Sequence, residues 1–399
     1  MRSGTFVRQP AGYTAFIPAP LPPDPPVAID FELLDLLSRA DRELGRLDGS
    51  TEVLPNPDLF VAMFVRQEAV LSSQIEGTQA SLVDILAFEA DAARRNLPGD
   101  VTEVVNYVRA MNYGLDRLRT LPLSLRLIRE IHAELLRDVR GAERRPGEFR
   151  TSQNWIGAAG VSLERATFVP PPPPEMVKAM GDLEVFLHDP SPLPVLMKCG
   201  LAHAQFETIH PFLDGNGRVG RLLITFLLVQ QGVLKRPLLY LSHYLKLHRE
   251  EYYDRLQMVR THGDWEGWLK FFLRGVAEVA AQATDTARRI LKLREVHREL
   301  VMEKVRGAAN ALHLLEHLYE QPILSASRGA ELVGVSFPTA SSLISQLVDL
   351  GLLQEITGSP RRRLFAYKQY LQLFDWGQRQ PPAIDSDRPR QFTESEDVR

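Results

Sequence analysis

At 399 residues the chain exceeds one ordinary core, so two or three domains are expected. Its formal charge of −3 excludes the strongly basic balance that announces nucleic acid or an anionic membrane. Cys199 is the single cysteine, which excludes an intrachain disulfide and a cysteine-rich zinc site.

The opening MRSGTFVRQPAG lacks the apolar centre of a secretory signal, and no run of about 18 apolar residues follows, so a cytoplasmic protein without membrane contact is expected. Residues 1–29 are proline-rich, with Pro18, Pro20, Pro22, Pro23, Pro25 and Pro26 close together. Such a run predicts an extended segment lying along a surface. Residues 30–120 read as a helical region, with Leu33, Leu34, Leu36 and Leu37 and then Val104, Val105 and Val108 at helical spacing. Residues 121–300 read as a catalytic core, helical except for 147–174. There Trp155-Ile156-Gly157 and Phe168-Val169, ahead of five prolines, predict a short β-hairpin. A separate unit over 301–376 and a disordered polar tail over 377–399 complete the expected organisation.

The chemistry concentrates in His210-Pro-Phe-Leu-Asp-Gly-Asn-Gly-Arg-Val-Gly-Arg221. Gly215-Asn216-Gly217 predicts a tight turn that opens onto an apolar helix ending before Gly232. A glycine turn at a helix N-terminus offers free N–H groups and the positive end of the helix dipole, which suits a phosphate. Arg218 and Arg221 share a face and oppose that dipole unless an anion compensates them. Asp214 is a hard oxygen ligand for magnesium, and His210 a base that titrates near neutrality. Packing alone does not ask for these five features within twelve residues.

The segment resembles the signature of the Fic family of AMP-transferring enzymes, H-x-F-x-[D/E]-G-N-G-R-x-x-R, at every specified position. The resemblance implies a helical Fic fold and transfer of AMP from ATP, with magnesium, to a serine, threonine or tyrosine hydroxyl of a protein, the chain itself included. It implies His210 as general base, Phe212 as the anchor of the loop and Asp214 as magnesium ligand. Gly215, Asn216 and Gly217 become the anion hole, and Arg218 and Arg221 the clamps on the outer phosphates. Val219 and Gly220, within the same helix start, are included among the ATP-binding residues. The related Doc kinases carry lysine at the second glycine, so Gly217 points to attack at the α-phosphate.

Upstream, Ser72-Ser73-Gln74-Ile75-Glu76-Gly77 closes a helix expected to begin at Pro57 and to end before a C′ glycine. An anion in a last helical turn is disfavoured by the dipole. The string resembles the family's inhibitory motif [S/T]-x-x-x-E-[G/N], with Ser72, Glu76 and Gly77 in place, which implies that Glu76 pairs with Arg221 and misplaces ATP. The 147–171 stretch resembles the family's target-docking hairpin, with Ile156 and Gly157 near the nucleotide and an uncertain register through the insert 158–166. Tyr240, Tyr244 and His248 match family positions that flank adenine, with core packing the competing account of the tyrosines.

Beyond residue 300, three helical stretches and two strand-like runs resemble a winged helix-turn-helix. Its third helix, 336–350, the expected recognition helix, has no lysine or arginine, and only Arg361–Arg363 offer phosphate contacts. A partner protein or a second copy of the chain in a homodimer is therefore favoured over DNA. The expected protein is mainly α: a helical N-terminal region, a Fic core with a small hairpin flap, and a C-terminal winged helix. The leading function is protein adenylylation restrained by Glu76. The alternatives are a DNA-binding regulator that senses nucleotide through its core, and an enzyme that removes AMP.

Overall fold

The computed structural model describes residues 1–52, 57–90, 99–138, 145–157, 160–190, 193–358 and 362–375, with side chains of 51–60 left aside. The tail over 377–399, residues 158 and 159 of the flap insert, and Arg361 lie outside the described residues. Among the described residues the chain is mainly helical with small antiparallel sheets, and no helix is long and apolar enough to cross a membrane.

The first difference from the sequence reading is at the start. β1 (Gly4–Arg8) and β2 (Thr14–Pro18) form an antiparallel hairpin, Gly4 opposite Pro18. Ala15 and Phe16 are fully buried, and the Phe16 amide donates to the Val169 carbonyl at 2.9 Å. The prolines from Pro18 onward, lacking N–H donors, end the strand and dominate the local composition.

Helix α1 (Phe31–Glu52) buries Leu33, Leu36, Leu37, Ala40, Leu44 and Leu47, a stripe at three- and four-residue spacing that packs along the long helix Trp265–Lys304. Leu34 lies off that stripe and is exposed. Next come α2 (Pro57–Ile75), which begins and ends as its sequence predicts, then α3 (Leu82–Ala90), α4 (Gly99–Arg117), α5 (Leu125–Leu135) and α6 (Pro173–His188). At the centre lie α7 (Val195–Ile209), buried from Leu196 to Ile209, and α8 (Asn216–Gln230), buried over most of Asn216–Leu228. Both helices are enclosed on nearly every side, their buried charged residues Glu207, Arg218 and Arg221 included. The loop that joins them is therefore held by the core itself.

After α9 (Ser242–Leu247) and α10 (Arg249–His262), α11 (Trp265–Lys304) runs 40 residues to the C-terminal unit. That unit holds α12 (Ala308–His317), β3 (Ile323–Ser325), α13 (Ala326–Val333), α14 (Phe337–Asp349), β4 (Gln354–Glu355) and β5 (Leu364–Ala366), with strand order β3-β5-β4, all antiparallel. β3 is three residues long and pairs only across 40 residues of chain, so no local pattern betrays it. Phe374 returns to α2, its ring 5.5 Å from Phe64 and its carbonyl accepting from Gln67.

Candidate active site

His210 caps α7 in the left-handed region at φ 51°, uncommon for a residue with a side chain. Phe212 is fully buried, stacked on His132 at 3.7 Å and flanked by Phe149 and Phe206. The buried Asn216 side chain pins it, accepting from the Phe212 amide and donating to its carbonyl, both at 2.8 Å. That side chain is tied to the loop, which leaves the Asn216 backbone N–H at the start of α8 for an anion. Asn154 holds the other side, donating to the carbonyls of His210 and Phe212. His132 Nδ1 accepts from the Gly147 amide, so the neutral ring's Nε2–H donates to the Asp214 carbonyl at 3.0 Å. Burial holds its pKa down to about 4, consistent with that neutral form.

Gly215 turns at φ 77°, and α8 begins with the N–H groups of the following residues at its open end. Asp214 sits beside this end with its side chain one-third exposed, Oδ1 accepting from the Gly215 amide. Among the described residues no group of three His, Cys, Asp or Glu side chains gathers to hold a metal unaided. A single carboxylate is nonetheless what magnesium needs when phosphate oxygens complete its shell, so Asp214 fits that role.

Both arginines are already engaged by carboxylates. Arg221 Nη2 lies 2.6 Å from Glu76 Oε1, while its Nε donates to Ser72 Oγ at 2.8 Å and Nη2 also to the Ser72 carbonyl at 3.0 Å. Arg218 Nη1 lies 3.1 Å from Glu103 Oε2 on α4, and Nη2 lies 3.7 Å from Asp214. A Cβ at position 217 would collide with the Glu76 carboxylate, which therefore lies directly against the N-terminus of α8. The anion at the end of α2 is compensated by a second helix's positive end and by Arg221, which holds its carboxyl below the usual range against the opposing effect of burial. Gly77, at φ 103°, supplies the turn that follows.

Burial pushes the His210 pKa down to about 3, helped by the Arg260 and Arg150 cations, while the Glu207 carbonyl and the Glu76 charge act the other way. The ring is neutral at ordinary pH. Two other carboxyls that feel Arg221 shift the opposite way from Glu76. Burial raises Glu68 to about 7 although Ser242 and Tyr107 donate to it, and burial raises Glu207 likewise to about 7 against the pull of Arg221. Glu207 Oε1 is buried with no hydrogen-bond partner among the described residues.

A folded pKa above the ordinary 4.5 means the folded chain retains a proton that the unfolded chain has released. This stabilisation is complete below 4.5 and disappears as pH rises through about 7. Glu207→Gln, uncharged throughout, should therefore gain in Tm relative to wild type between about pH 5 and pH 8. A Tm difference that does not change with pH would refute the buried-carboxyl account.

Several residues grouped with the nucleotide by sequence lie elsewhere. Val219 is fully buried on the core side of α8. Gly220 lets α7 approach, since a Cβ there would meet the Glu207 carboxylate, and its carbonyl bonds His203. Residues 219 and 220 point 100° and 200° around the helix from Arg218, which turns them away from the open end. Tyr240 is buried with its ring 5.4 Å from Phe64 and its hydroxyl directed at Thr286, and Tyr244 is buried against Phe271 in space left by Gly275. For both tyrosines, core packing prevails. His248, half-buried, packs with its ring 4.3 Å from that of Tyr244 and tilted by 41°.

Tyr252 and Tyr253 both lie within electrostatic reach of Glu76 and Arg221, and of the two Tyr253 is the exposed one, at 43%. The flap pairing is one bridge, Ile156 with Phe168, because the prolines that follow cannot extend the ladder. Ile156 is half-buried in that bridge and Gly157 exposed beside it.

The structure brings together a histidine on a left-handed turn, the N-terminus of α8 and two arginines, groups whose chemistry suits a phosphate-bearing ligand. Residues 34–116 match the family model described as Fic/DOC family N-terminal, and residues 122–228 the model described as Fic/DOC family. The chain carries both Fic/DOC domains. It is 34% identical over 166 residues to "Protein adenylyltransferase Fic" of Aedes aegypti, covering 41% of this chain and 29% of that protein. It is 30% identical over 197 residues to the "Probable protein adenylyltransferase" of Aquifex aeolicus, covering 48% and 56%. The chain thus spans about a third of the insect relatives' length and about half of the bacterial one. The crystal structure of a Fic family protein from Desulfovibrio desulfuricans shares the fold, with a TM-score of 0.54 at 19% identity over 86% of this chain and 97% of that one.

Proposed function

We propose that this chain is a protein adenylyltransferase, moving AMP from ATP to a hydroxyl side chain and releasing pyrophosphate. The observation that carries the reading is the open N-terminus of α8, flanked by Arg218 and Arg221 and faced by the His210 loop. The names of the relatives point the same way. His210 takes the proton from the hydroxyl, whose oxygen bonds to the α-phosphorus as the bond to the β-phosphate oxygen breaks. Negative charge grows on the leaving pyrophosphate, where the α8 amides and the two arginines meet it. Asp214 would hold magnesium, which supplies further charge neutralisation on the phosphates. The bound polyphosphate also raises the low His210 pKa, making the ring a better base when it is needed.

Glu76 is read as the brake. Its carboxylate stands against the α8 N-terminus and holds Arg221, the groups a γ-phosphate would use. The 308–375 unit is read as a winged helix that holds a partner protein or a second copy of the chain, since α14 carries no basic residue.

The test is incubation with magnesium and ATP labelled on the α- or on the γ-phosphate, followed by mass spectrometry of the labelled proteins. Transfer of the α-label as one AMP unit is expected. Transfer of the γ-label alone would make the protein a kinase and overturn the reading.

A further inference from the structure

Glu76 satisfies one arginine of the site, but the other is not free. Arg218 is 5% exposed at its side chain, and its only close carboxylate partner besides Asp214 among the described residues is Glu103, 115 residues earlier on α4. Arg218 Nε is buried and has no acceptor among the described residues, so one donor of the guanidinium is left unsatisfied. Glu103 Oε2 accepts in addition from the hydroxyl of Thr78, at 3.3 Å. Thr78 stands two residues after Glu76, and the next residue, Gln79, donates its amide to Asp100 in the first turn of α4 at 2.8 Å. The end of α2 and the start of α4 are thus tied together next to both arginines.

We propose that Glu103 is a second carboxylate that competes with the nucleotide's outer phosphates for the site, acting on Arg218 as Glu76 acts on Arg221. The inference rests on reading the α8 N-terminus as the phosphate site. An anion fixed beside Arg218 neutralises the cation a phosphate needs and repels the phosphate itself, in surroundings where charges are screened less than in water. Through Thr78 the two carboxylates belong to one fastened element. Freeing Arg221 alone therefore leaves half of the restraint in place, and full phosphate affinity requires both carboxylates to yield. The effect belongs to the β- and γ-phosphates and not to the nucleoside or the α-phosphate.

Glu103→Gln keeps the shape and still accepts from Arg218 and Thr78, so it removes the charge with little else. Calorimetric titration of the full chain with ATP, ADP and AMP in magnesium, in the wild-type and Glu76→Gly backgrounds, reads the result without any transfer step. Glu103→Gln should tighten ADP and ATP by about three- to tenfold in the Glu76→Gly background, and change AMP by less than about twofold. Glu103→Ala, checked for folding by its thermal melt, should move ADP in the same direction. Unchanged or weakened ADP binding in Glu103→Gln, or an equal gain for AMP, would overturn the proposal. If Glu76→Gly alone fails to tighten ATP, the reading of Glu76 as a brake fails, and Glu103 is judged on its own ADP result.

Discussion

His210→Ala should lower AMP transfer by at least about 10²-fold, because a hydroxyl of pKa about 10 or more is a poor nucleophile without a positioned base. Binding of ATP should change little, since His210 stands on the turn before α8 and the phosphate contacts come from the helix start and its arginines. The expected signature is a fall in kcat with an unaltered ATP titration. The backbone of residue 210 is left-handed, which costs alanine about 1 kcal/mol or more and lowers stability. His210→Asn separates the two effects, because asparagine tolerates that region and equally lacks the basic nitrogen. Both variants should be inactive, but only His210→Ala should melt measurably lower. Transfer within tenfold of wild type in either would remove His210 from the chemistry.

What could be read in advance divides along chain distance. The His210–Arg221 loop and the Ser72–Gly77 helix end are contiguous, and each residue type there has a local reason: glycines for the turn, cations for an anion, a C′ glycine after the helix. Their meeting was legible only because the family resemblance supplied it; in the structure it is the 2.6 Å contact of Glu76 and Arg221 across 145 residues. The pairing of Arg218 with Glu103, the buried carboxyls of Glu68 and Glu207, and Asn154 under the loop have no neighbouring signal at all. A glutamate at helical spacing reads as a solvent-facing charge until the fold places it inside. Val219, Gly220 and Tyr240 show the opposite case, since a motif marks positions along the chain while the fold decides which side chains are buried in packing. One cue is present for the early strands: Thr5, Phe6, Val7 and then Thr14, Phe16, Ile17 are strand-formers, but the neighbouring prolines dominate the composition.

The largest gain of activity is expected from Glu76→Gly. In the structure Glu76 meets three demands at once: it neutralises Arg221, it lies against the α8 N-terminus, and it ends α2 just before Gly77. Removing the carboxylate takes one acceptor from Nη2 of Arg221 but leaves Nη2 on the Ser72 carbonyl and Nε on Ser72 Oγ, so the arginine stays in place and remains oriented for a phosphate. The variant should also lose stability, because the buried Arg221 charge then keeps only the more distant Glu68 and Glu207 carboxyls. A gain of activity joined to a lower Tm is the specific outcome, and adding ATP should restore Tm as the phosphates replace the missing anion. Arg221→Ala, and the double variant with Glu76→Gly, should show no gain, since the same arginine is needed for transfer. Equal activity of wild type and Glu76→Gly at saturating ATP would show that the carboxylate is structural and does not restrain the site. Rescue of Tm by AMP as effective as by ATP would show that the freed anion site is not used by the outer phosphates.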